Sequence, residues 1–311
     1  MTDFCGRLYT NLEINMIRIG TRGSRLALWQ ANHLKKKLQE VGIKSELVII
    51  KTKGDRIQDL SFDKIEGKGF FTKEIEEALI SEEIDVAVHS LKDLPTEMLE
   101  GLVLAGLSER ADPRDMLIIH PDFVDEQRPL KMSENCVVGT SSIRRKVQLK
   151  ALDQKVEIQD IRGNVPTRVQ KVADKVVGAI VIAAAGVDRL DLDLSAFKVI
   201  RLNPNEFVPA PAQGVNAYQC RSSDKITKSI IQDIHQKKIA RCTNVERTAM
   251  KLLDGGCQLP LGVYCYQDEN QYFHCNAILG TSNTIELKKA QISSSTTSGI
   301  AEKIVSQLLS D

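Results

Sequence analysis

The sequence predicts an α/β protein with two similar lobes around a hinged cleft, followed by a small α+β carboxyl-terminal domain. Three observations support this fold class. Strand and helix patterns alternate over the first two thirds of the chain, and one local pattern occurs twice. From about Lys237 the order changes to a helix, two β-rich runs at residues 272–279 and 285–292, and a terminal helix. With 311 residues, the chain is long enough for two or three domains.

The first lobe begins with a short strand at residues 16–20 and a helix that stops at Gly42. A second strand is predicted at residues 46–50, a helical segment at 72–80 and another β-rich run at 84–88. Strands that alternate with helices imply a parallel sheet with right-handed crossovers.

The second lobe repeats this arrangement. The hydrophobic-Gly-Thr pattern that opens a turn and a helix at residues 19–24 occurs again at 138–142. A helix at 143–152, a strand at 156–161 and a fully apolar strand at 179–183 follow. Such local patterns also arise by chance in α/β proteins, but the shared order of the later strands favours two related, periplasmic-binding-protein-like lobes.

Two segments containing Pro with Asp or Asn, residues 112–115 and 203–211, are the expected crossings between the lobes. In such folds, ligands bind at the carboxyl ends of the strands, inside the cleft. The predicted division is an extension at residues 1–15, domain 1 at 16–112 and 213–234, domain 2 at 113–212, and domain 3 at 235–311.

Composition argues against several classes of protein. The net charge is +1 and only 5% of the residues are aromatic, which disfavours a nucleic-acid-binding protein. The longest apolar run, residues 176–187, is too short to span a bilayer, and the first fifteen residues lack the apolar stretch of a signal peptide. Seven cysteines without a CxxC pair argue against a disulfide framework or a zinc ribbon. We therefore expect a cytoplasmic protein without a metal, nucleic-acid or membrane partner.

Basic residues follow almost every predicted strand. Arginine binds carboxylate or phosphate through two parallel hydrogen bonds, so this recurrence predicts a polyanionic ligand between the lobes. Taken singly, each of these residues is better explained as a solvated surface charge. The set comprises Arg22, Arg25, Lys53, Arg56, Lys92, Arg144, Arg145, Arg162, Arg168 and Arg189.

Two motifs offer chemistry beyond binding. Asp93 follows Lys92 just past a buried strand, where a carboxylate could donate a proton or stabilise a cation; a turn or cap is the simpler alternative. Cys257 lies in a loop after two glycines, where a thiol can act as nucleophile or attachment point, although most single cysteines are inert.

A third motif is the glycine-rich basic loop that contains Lys64, Lys68 and Phe71. It matches no nucleotide-binding motif and is interpreted as a flexible lid, the alternative being an ordinary loop with Phe71 in the core. These residues alone are also consistent with a two-lobed protein that binds carboxylate or phosphate without catalysing a reaction. A nucleic-acid-binding protein, suggested by residues 141–146, is a third alternative.

The motifs together resemble those of the porphobilinogen deaminases. The segments TRGSRLALWQA, TKGDRIQD, VHSLKDLPT, VGTSSIRRKVQL, IRGNVPTR and GGCQLPLG occur in that family's order, and the resemblance runs from about Met16 to the carboxyl end. It implies a monomeric three-domain transferase of porphyrin and heme biosynthesis, which condenses four porphobilinogen molecules head to tail into hydroxymethylbilane and releases ammonia. It also implies one covalent dipyrromethane cofactor per chain.

Residue roles follow from the resemblance, motif by motif. It implies that Asp93 is the catalytic carboxylate, which binds pyrrole N–H groups, assists loss of ammonia and stabilises a cationic azafulvene. The implied cofactor-binding residues are Cys257, through a thioether, with Lys92, Ser90, Thr140, Ser141, Ser142, Arg144, Arg145, Arg162 and Phe71. The implied substrate-binding residues are Arg22, Ser24, Gln30, Arg162, Arg168, Arg189, Lys64 and Lys68.

The chain departs from the family pattern near the second crossing. Ala212 replaces the first glycine of Gly-Gln-Gly, and Gln219 replaces an acidic residue before Cys-Arg. Residues 215–218 are also more polar than the family pattern leads us to expect. These departures bear on hinge behaviour or efficiency more than on the reaction.

Overall fold

The computed structural model describes residues 16–52, 72–254, 259–280 and 286–310. The strands of this part are β1 (Ile17–Thr21), β2 (Ser45–Ile49), β3 (Val86–Ser90), β4 (Leu102–Leu107), β5 (Asp115–Ile119), β6 (Val137–Gly139), β7 (Glu157–Gln159), β8 (Ala179–Ala183), β9 (Lys198–Arg201), β10 (Asn216–Arg221), β11 (Leu261–Gln267), β12 (Phe273–Gly280) and β13 (Leu287–Ser294).

The helices are α1 (Arg25–Glu40), α2 (Lys73–Ile80), α3 (Ile143–Leu152), α4 (Val165–Ala173), α5 (Ala184–Arg189), α6 (Lys225–Asp233), α7 (Lys237–Leu252) and α8 (Ile300–Leu309). Short 3-10 turns lie at Leu91–Asp93, Pro121–Phe123 and Pro129–Lys131. In the described ranges, no helix combines the length and apolar character needed to cross a membrane.

Two five-stranded sheets have the same topology. Their strand orders are β2-β1-β3-β10-β4 and β7-β6-β8-β5-β9. The first three strands of each order are parallel, and the last two run antiparallel to their neighbours. This confirms the predicted α/β class with two similar lobes, called here the first and the second lobe.

The strands predicted in each lobe, β1 to β3 and β6 to β8, are parallel as expected, but each sheet contains a fourth strand that runs antiparallel to them. In the first lobe β10 enters the sheet after the chain returns from the second lobe, and in the second lobe β5 enters it directly after the first crossing. The predicted first crossing, residues 112–115, includes Asp115, which is the first residue of β5. The sequence places Asp115 in the crossing because this residue follows a Pro-containing turn. Local periodicity does not reveal a strand whose partners lie so far away in sequence.

The lobes bury apolar faces against their sheets. In the first lobe, α1 turns Ala31, Leu34 and Leu38 toward Ile17 and Ile19 of β1. Burial of each of these leucine and isoleucine side chains contributes about 1.5–3 kcal/mol. Helix α1 ends at Glu40, as its pattern predicts, and the chain continues through a left-handed glycine at position 42.

The carboxyl-terminal domain is a three-stranded antiparallel sheet, β11-β12-β13, packed against α7 and α8. Its core includes Phe273 and Ile304 together with three cysteines, Cys242, Cys265 and Cys275. The predicted helix, two strands and terminal helix are present. Strand β11 was missed because it directly follows the Gly- and Pro-containing loop.

The two crossings run side by side between the lobes. Backbone hydrogen bonds join Ser108 N to Asn216 O at 3.0 Å and Ala111 N to Gly214 O at 3.0 Å. Gly214 has a φ of 91°, and a Cβ atom there would lie 2.8 Å from the Ala111 oxygen. Only glycine therefore fits this close approach. Ala212, with a φ of 63°, also occupies the left-handed region.

Candidate active site

The predicted site residues follow the carboxyl ends of parallel strands in both lobes. Arg22 follows β1 and the Lys92–Asp93 pair follows β3. In the second lobe the equivalent positions follow β6, β7 and β8 and contain Arg144, Arg145, Arg162, Arg168 and Arg189. Since parallel strands end at the same edge of a sheet, this topology gathers cations from both lobes at the cleft.

Asp93 lies at the end of the 3-10 turn Leu91–Asp93. Leu91 is fully buried, and its N–H donates to Val215 O at 2.9 Å. The Asp93 side chain is exposed. A buried leucine and a backbone hydrogen bond thus hold a turn that presents an open carboxylate.

Arg247 on α7 supports the same turn from the third domain. Its Nη1 donates to Leu91 O at 3.0 Å and to Leu94 O at 2.8 Å, and its Nη2 donates to Pro95 O at 2.6 Å. Sequence analysis missed this residue, because nothing local in a helix indicates a contact with a turn more than 150 positions earlier. The helix that leads toward Cys257 is thereby bound to the turn that carries Asp93.

Glu246, beside it, binds the crossings. This fully buried carboxylate pairs with Arg110 at 2.6 Å, and it accepts hydrogen bonds from Ala212 N at 2.6 Å and Cys265 N at 2.8 Å. Helix α7 therefore anchors both the Asp93 turn and the hinge.

Lys92 faces the hinge. Its Nζ lies 3.5 Å from Gln213 Oε1, and the Gln213 amide in turn donates to Asp115 Oδ1 at 3.0 Å. Burial lowers the pKa of Lys92, and the positive charges of Arg145 and Arg144 lower it further against the opposing effects of Asp93 and Asp115. An anion bound next to Lys92 would reduce the repulsion between its ammonium group and the guanidinium groups of Arg144 and Arg145.

Arg144 and Arg145 share one carboxylate, Asp115. Arg144 Nη1 lies 2.7 Å from Asp115 Oδ2, and Arg145 Nη2 lies 2.8 Å from Oδ1. Burial alone would raise the pKa of Asp115, but the two guanidinium charges outweigh it and hold that pKa well below its usual value. All three side chains are buried. Two guanidinium groups and one carboxylate leave this cluster with a net charge of +1.

Arg168 and Arg189 are held by backbone oxygens. Arg168 Nε donates to Gly163 O at 2.8 Å, and Arg189 Nη2 donates to Gly214 O at 2.8 Å. The pKa of each is lowered to about 10, mainly by burial, and for Arg168 the positive charge of Arg145 contributes to this shift. The Nε of Arg189 is buried without a hydrogen-bond partner among the described residues. Desolvated guanidinium groups in this setting favour an anionic ligand.

Gln30 joins three elements at the cleft side of the first lobe. Its Nε2 donates to Ser90 Oγ at 2.9 Å and to Asn216 Oδ1 at 3.0 Å. Asn216 is one of the unexpectedly polar residues of the second crossing, and its Nδ2 is buried without a partner in the described part of the chain. Ser90 is thereby held in place at the end of β3.

The remaining hydroxyl groups make local contacts. Ser24 caps α1 by accepting from Ala27 N at 3.3 Å, and Ser141 donates to Ile161 O at 2.8 Å. Thr140 accepts from Ser142 N at 3.3 Å, just before α3. These contacts shape the two equivalent turns, and binding roles for the four residues stay predictions.

Not every predicted site residue can be placed. Arg22 and Arg162 are half-buried in the loops after β1 and β7. Lys64, Lys68, Phe71 and Cys257 lie outside the described residues, as do Lys53 and Arg56. Their roles stay predictions.

The His89–Gln219 pair lies beneath the site. The ring Nε2 of His89 and Oε1 of Gln219 are 3.0 Å apart, and Gln219 Nε2 donates to Glu76 Oε1 at 2.9 Å. Gln219 Oε1 therefore accepts from a neutral, Nε2-protonated imidazole. Burial lowers the pKa of His89 to about 4, which argues against His89 as a base at neutral pH.

The arrangement is suited to holding a polyanion against an exposed carboxylate. Lys92, Arg144, Arg145 and Arg168 lie within electrostatic range of one another, and Asp115 is the buried carboxylate in their midst. Asp93 lies next to Lys92 at the open side. Chemically, such a site can bind carboxylates and stabilise a developing positive charge beside them.

Comparisons with known proteins bear on this site. The chain matches the family "Porphobilinogen deaminase, dipyromethane cofactor binding domain" over residues 17–229 and "Porphobilinogen deaminase, C-terminal domain" over residues 240–310. A porphobilinogen deaminase from Sulfurimonas denitrificans is 41% identical over 271 residues, covering 86% of this chain and 85% of the relative. One from Maridesulfovibrio salexigens is 43% identical over 258 residues, covering 82% of each. Among solved structures, a periplasmic substrate-binding protein of an ABC transporter from Coxiella burnetii has a TM-score of 0.42 at 12% identity, over 72% of this chain and 94% of that one.

Proposed function

The chain belongs to the porphobilinogen deaminase family, and we propose that Asp93 is the carboxylate that acts on its substrate. The enzyme is a hydroxymethylbilane synthase, a transferase of porphyrin biosynthesis. It joins four porphobilinogen molecules head to tail, releases ammonia and uses a dipyrromethane cofactor. The roles of individual residues are the subject of the proposal.

The observation that carries the proposal is the excess of cations around an exposed Asp93. Porphobilinogen has an acetate and a propionate, so each added pyrrole brings two negative charges. Arg168 and Arg189 have lowered pKa values and backbone oxygens as their hydrogen-bond acceptors. A bound carboxylate would offset the positive charge of each guanidinium group. Each charge-assisted hydrogen bond of this kind contributes about 1.5–3 kcal/mol to the binding free energy. We assign both residues, with Arg22, Arg162, Ser24, Gln30, Lys64 and Lys68, to the substrate.

The residues present also fit a dipyrromethane group. When bound, this group supplies the free pyrrole α-carbon to which the first substrate is joined. Lys92, Arg144 and Arg145 carry three positive charges around the Asp115 carboxylate, and the Ser90 hydroxyl is fixed by Gln30 beside them. These residues would hold the carboxylates of the group. Cys257 would form the thioether, and Thr140, Ser141, Ser142, Arg162 and Phe71 would complete the site.

Asp93 acts on the substrate ring. Its carboxylate accepts hydrogen bonds from pyrrole N–H groups and stabilises the positive charge that develops as the aminomethyl C–N bond breaks and ammonia leaves. The turn is held by Leu91 and Arg247, so the carboxylate needs little reorganisation during the reaction. Loss of one preorganised electrostatic group costs about 10²–10³ in rate, so the Asp93→Ala variant should be nearly inactive yet folded.

We also propose that the chain acts as a monomer in the cytoplasm. Lys92, Asp93, Arg144, Arg145, Arg168 and Arg189 all come from one chain, so the site needs no second copy to complete it. Sedimentation velocity of the purified protein should give a single species at the monomer mass.

The experiment that tests the cofactor assignment is the intact mass under denaturing conditions. The wild-type chain should exceed its sequence mass by two porphobilinogen units less two ammonia, and the Cys257→Ser variant should lack this increment. The Cys220→Ser variant, altered at a buried cysteine of β10, should keep it. A wild-type chain that stays at its sequence mass after incubation with porphobilinogen or hydroxymethylbilane would favour a two-lobed binding protein instead.

A further inference from the structure

Trp29 and Arg189 contact each other across the cleft. Trp29 lies on α1 of the first lobe, and Arg189 ends α5 of the second. The guanidinium carbon of Arg189 lies over the indole ring, 5.2 Å from its centroid. Nearby, a Cβ atom on Gly186 would lie 3.9 Å from Leu26 Cδ2, so the two helices approach closely at this point. The pair is a direct contact between the two lobes.

The surroundings of Trp29 favour a role beyond packing. Its side chain is 36% exposed, although a tryptophan in the core would be mostly buried. Its ring stacks on that of His33, one helical turn later, with centroids 5.2 Å apart and an interplanar angle of 8°. The indole is therefore held in one orientation at the surface of α1, with a face available to a cation.

Arg189 is oriented by this contact and by one backbone oxygen. Its Nη2 donates to Gly214 O, while its Nε has no hydrogen-bond partner in the described ranges. An aromatic ring engages the face of a guanidinium, whereas a carboxylate engages its N–H edge. The two kinds of partner can therefore bind at the same time.

We propose that Trp29 is a positioning residue for substrate binding, which holds Arg189 across the cleft so that its remaining N–H groups receive a pyrrole carboxylate. This inference rests on the proposed function, in which Arg189 binds the substrate. The contact joins α1 of one lobe to α5 of the other, so the same indole couples the orientation of Arg189 to the approach of the two helices.

Kinetics of the holoenzyme test the inference. Trp29→Leu should raise the KM for porphobilinogen about three- to tenfold, the range expected for loss of a cation–π contact, with kcat within about twofold of the wild type. Trp29→Phe, which keeps a ring, should restore most of the affinity. Asn32→Ala, an exposed change on the same helix, should leave both constants unaltered. An unchanged KM in Trp29→Leu would overturn the inference.

A double-variant comparison separates positioning from general destabilisation. In the Arg189→Lys background, Trp29→Leu should have little further effect on KM, because the two residues act as one unit. Full additivity of the two changes would contradict the proposal. The mass increment over the sequence mass and the thermal midpoint of Trp29→Leu should match those of the wild type, which excludes lost cofactor or misfolding as the cause.

A second readout does not depend on turnover. Trp29 is the only tryptophan of the chain, so the tryptophan emission reports on the surroundings of this one ring, which include Arg189 and His33. Rapid mixing of the holoenzyme with porphobilinogen should change the emission in the first turnover, and Arg189→Lys should abolish the change. Constant emission with normal substrate consumption would refute the inference and leave the proposed function intact. A wild-type protein that consumes no porphobilinogen would instead refute both.

Discussion

Arg247 and Leu94 are joined by a hydrogen bond of 2.8 Å from Nη1 to the backbone oxygen, which ties the third domain to the turn that carries Asp93. Arg247 also binds the carbonyl oxygens of Leu91 and Pro95. One guanidinium thus fixes three carbonyl groups around a single short turn. The relationship makes the position of the Asp93 carboxylate depend on a helix of another domain.

Arg247→Met should therefore lower kcat. A small displacement of a catalytic group is costly, and we expect a loss of about tenfold or more, with a smaller change in KM. Steady-state kinetics with porphobilinogen measure this. Arg241→Met is the matched control, because Arg241 lies on the same helix but over the Phe273 ring, away from the turn. Equal kcat values for the Arg247 variant and the wild type would contradict the prediction.

Glu246→Gln should destabilise the fold. The change leaves the Arg110 guanidinium buried without its carboxylate, and removal of one partner of a buried ion pair costs about 3–5 kcal/mol. Urea unfolding gives the free energy difference. Glu302→Gln, at an exposed position of α8, should change it by no more than about 0.5 kcal/mol. Similar unfolding free energies for the Glu246 and Glu302 variants would show that the buried Arg110–Glu246 ion pair contributes little to stability.

Stability should fall in mild acid because of His89. Burial lowers the pKa of this histidine to about 4, whereas the unfolded chain protonates near 6.5. Between these values the unfolded state binds more protons, so His89 should cost about 2 kcal/mol of stability as the pH falls from 7 to 5.

The Gln219→Glu variant tests the cause of this pH dependence. It places a carboxylate where Gln219 Oε1 now accepts from the imidazole, so the pKa of His89 should rise and the loss of stability between pH 7 and 5 should shrink. Urea unfolding at both pH values, for variant and wild type, gives the comparison. A steeper fall in the variant would be the opposite of the expected result.

Ala212→Gly should stabilise the hinge. Ala212 has a φ of 63°, a conformation that costs a non-glycine residue about 1–2 kcal/mol, while glycine adds flexibility to the unfolded chain. Because the change also removes a fully buried methyl group, the expected net gain is no more than about 0.5 kcal/mol. Thermal unfolding measures it, with Gly214→Ala as the opposite case, since a Cβ there would meet the Ala111 oxygen. A thermal midpoint of Ala212→Gly below that of the wild type would contradict the prediction that the backbone at Ala212 is strained.

The sequence predicts the local elements and the kind of ligand. Helix α1, the second-lobe turn before Arg144 and the apolar strand β8 are all visible as periodic or turn patterns. The recurrence of arginine after strands also indicates an anionic ligand, because it needs no knowledge of distant contacts.

Long-range relationships were beyond such patterns. Glu246 and Arg247 look like ordinary polar residues of an amphipathic helix, yet Glu246 binds the hinge and Arg247 binds the turn that carries Asp93. Asp115 was assigned to a crossing, although it is the buried carboxylate that pairs Arg144 with Arg145. In each case the partner lies tens of residues or more away, and its identity follows only from the strand order.

The placement of β10 between β3 and β4 also governs how the protein can be made. A ribosome releases the chain from its amino end, so every strand of the second lobe has been synthesised by residue 201, whereas the sheet of the first lobe lacks its β10 strand until residue 221. Chains truncated between these points should resist protease across the second lobe and be cleaved in the first. The unpaired edges of β3 and β4 are then sites where a chaperone can bind. Of the two lobes, the one whose synthesis begins first is therefore the second to be completed.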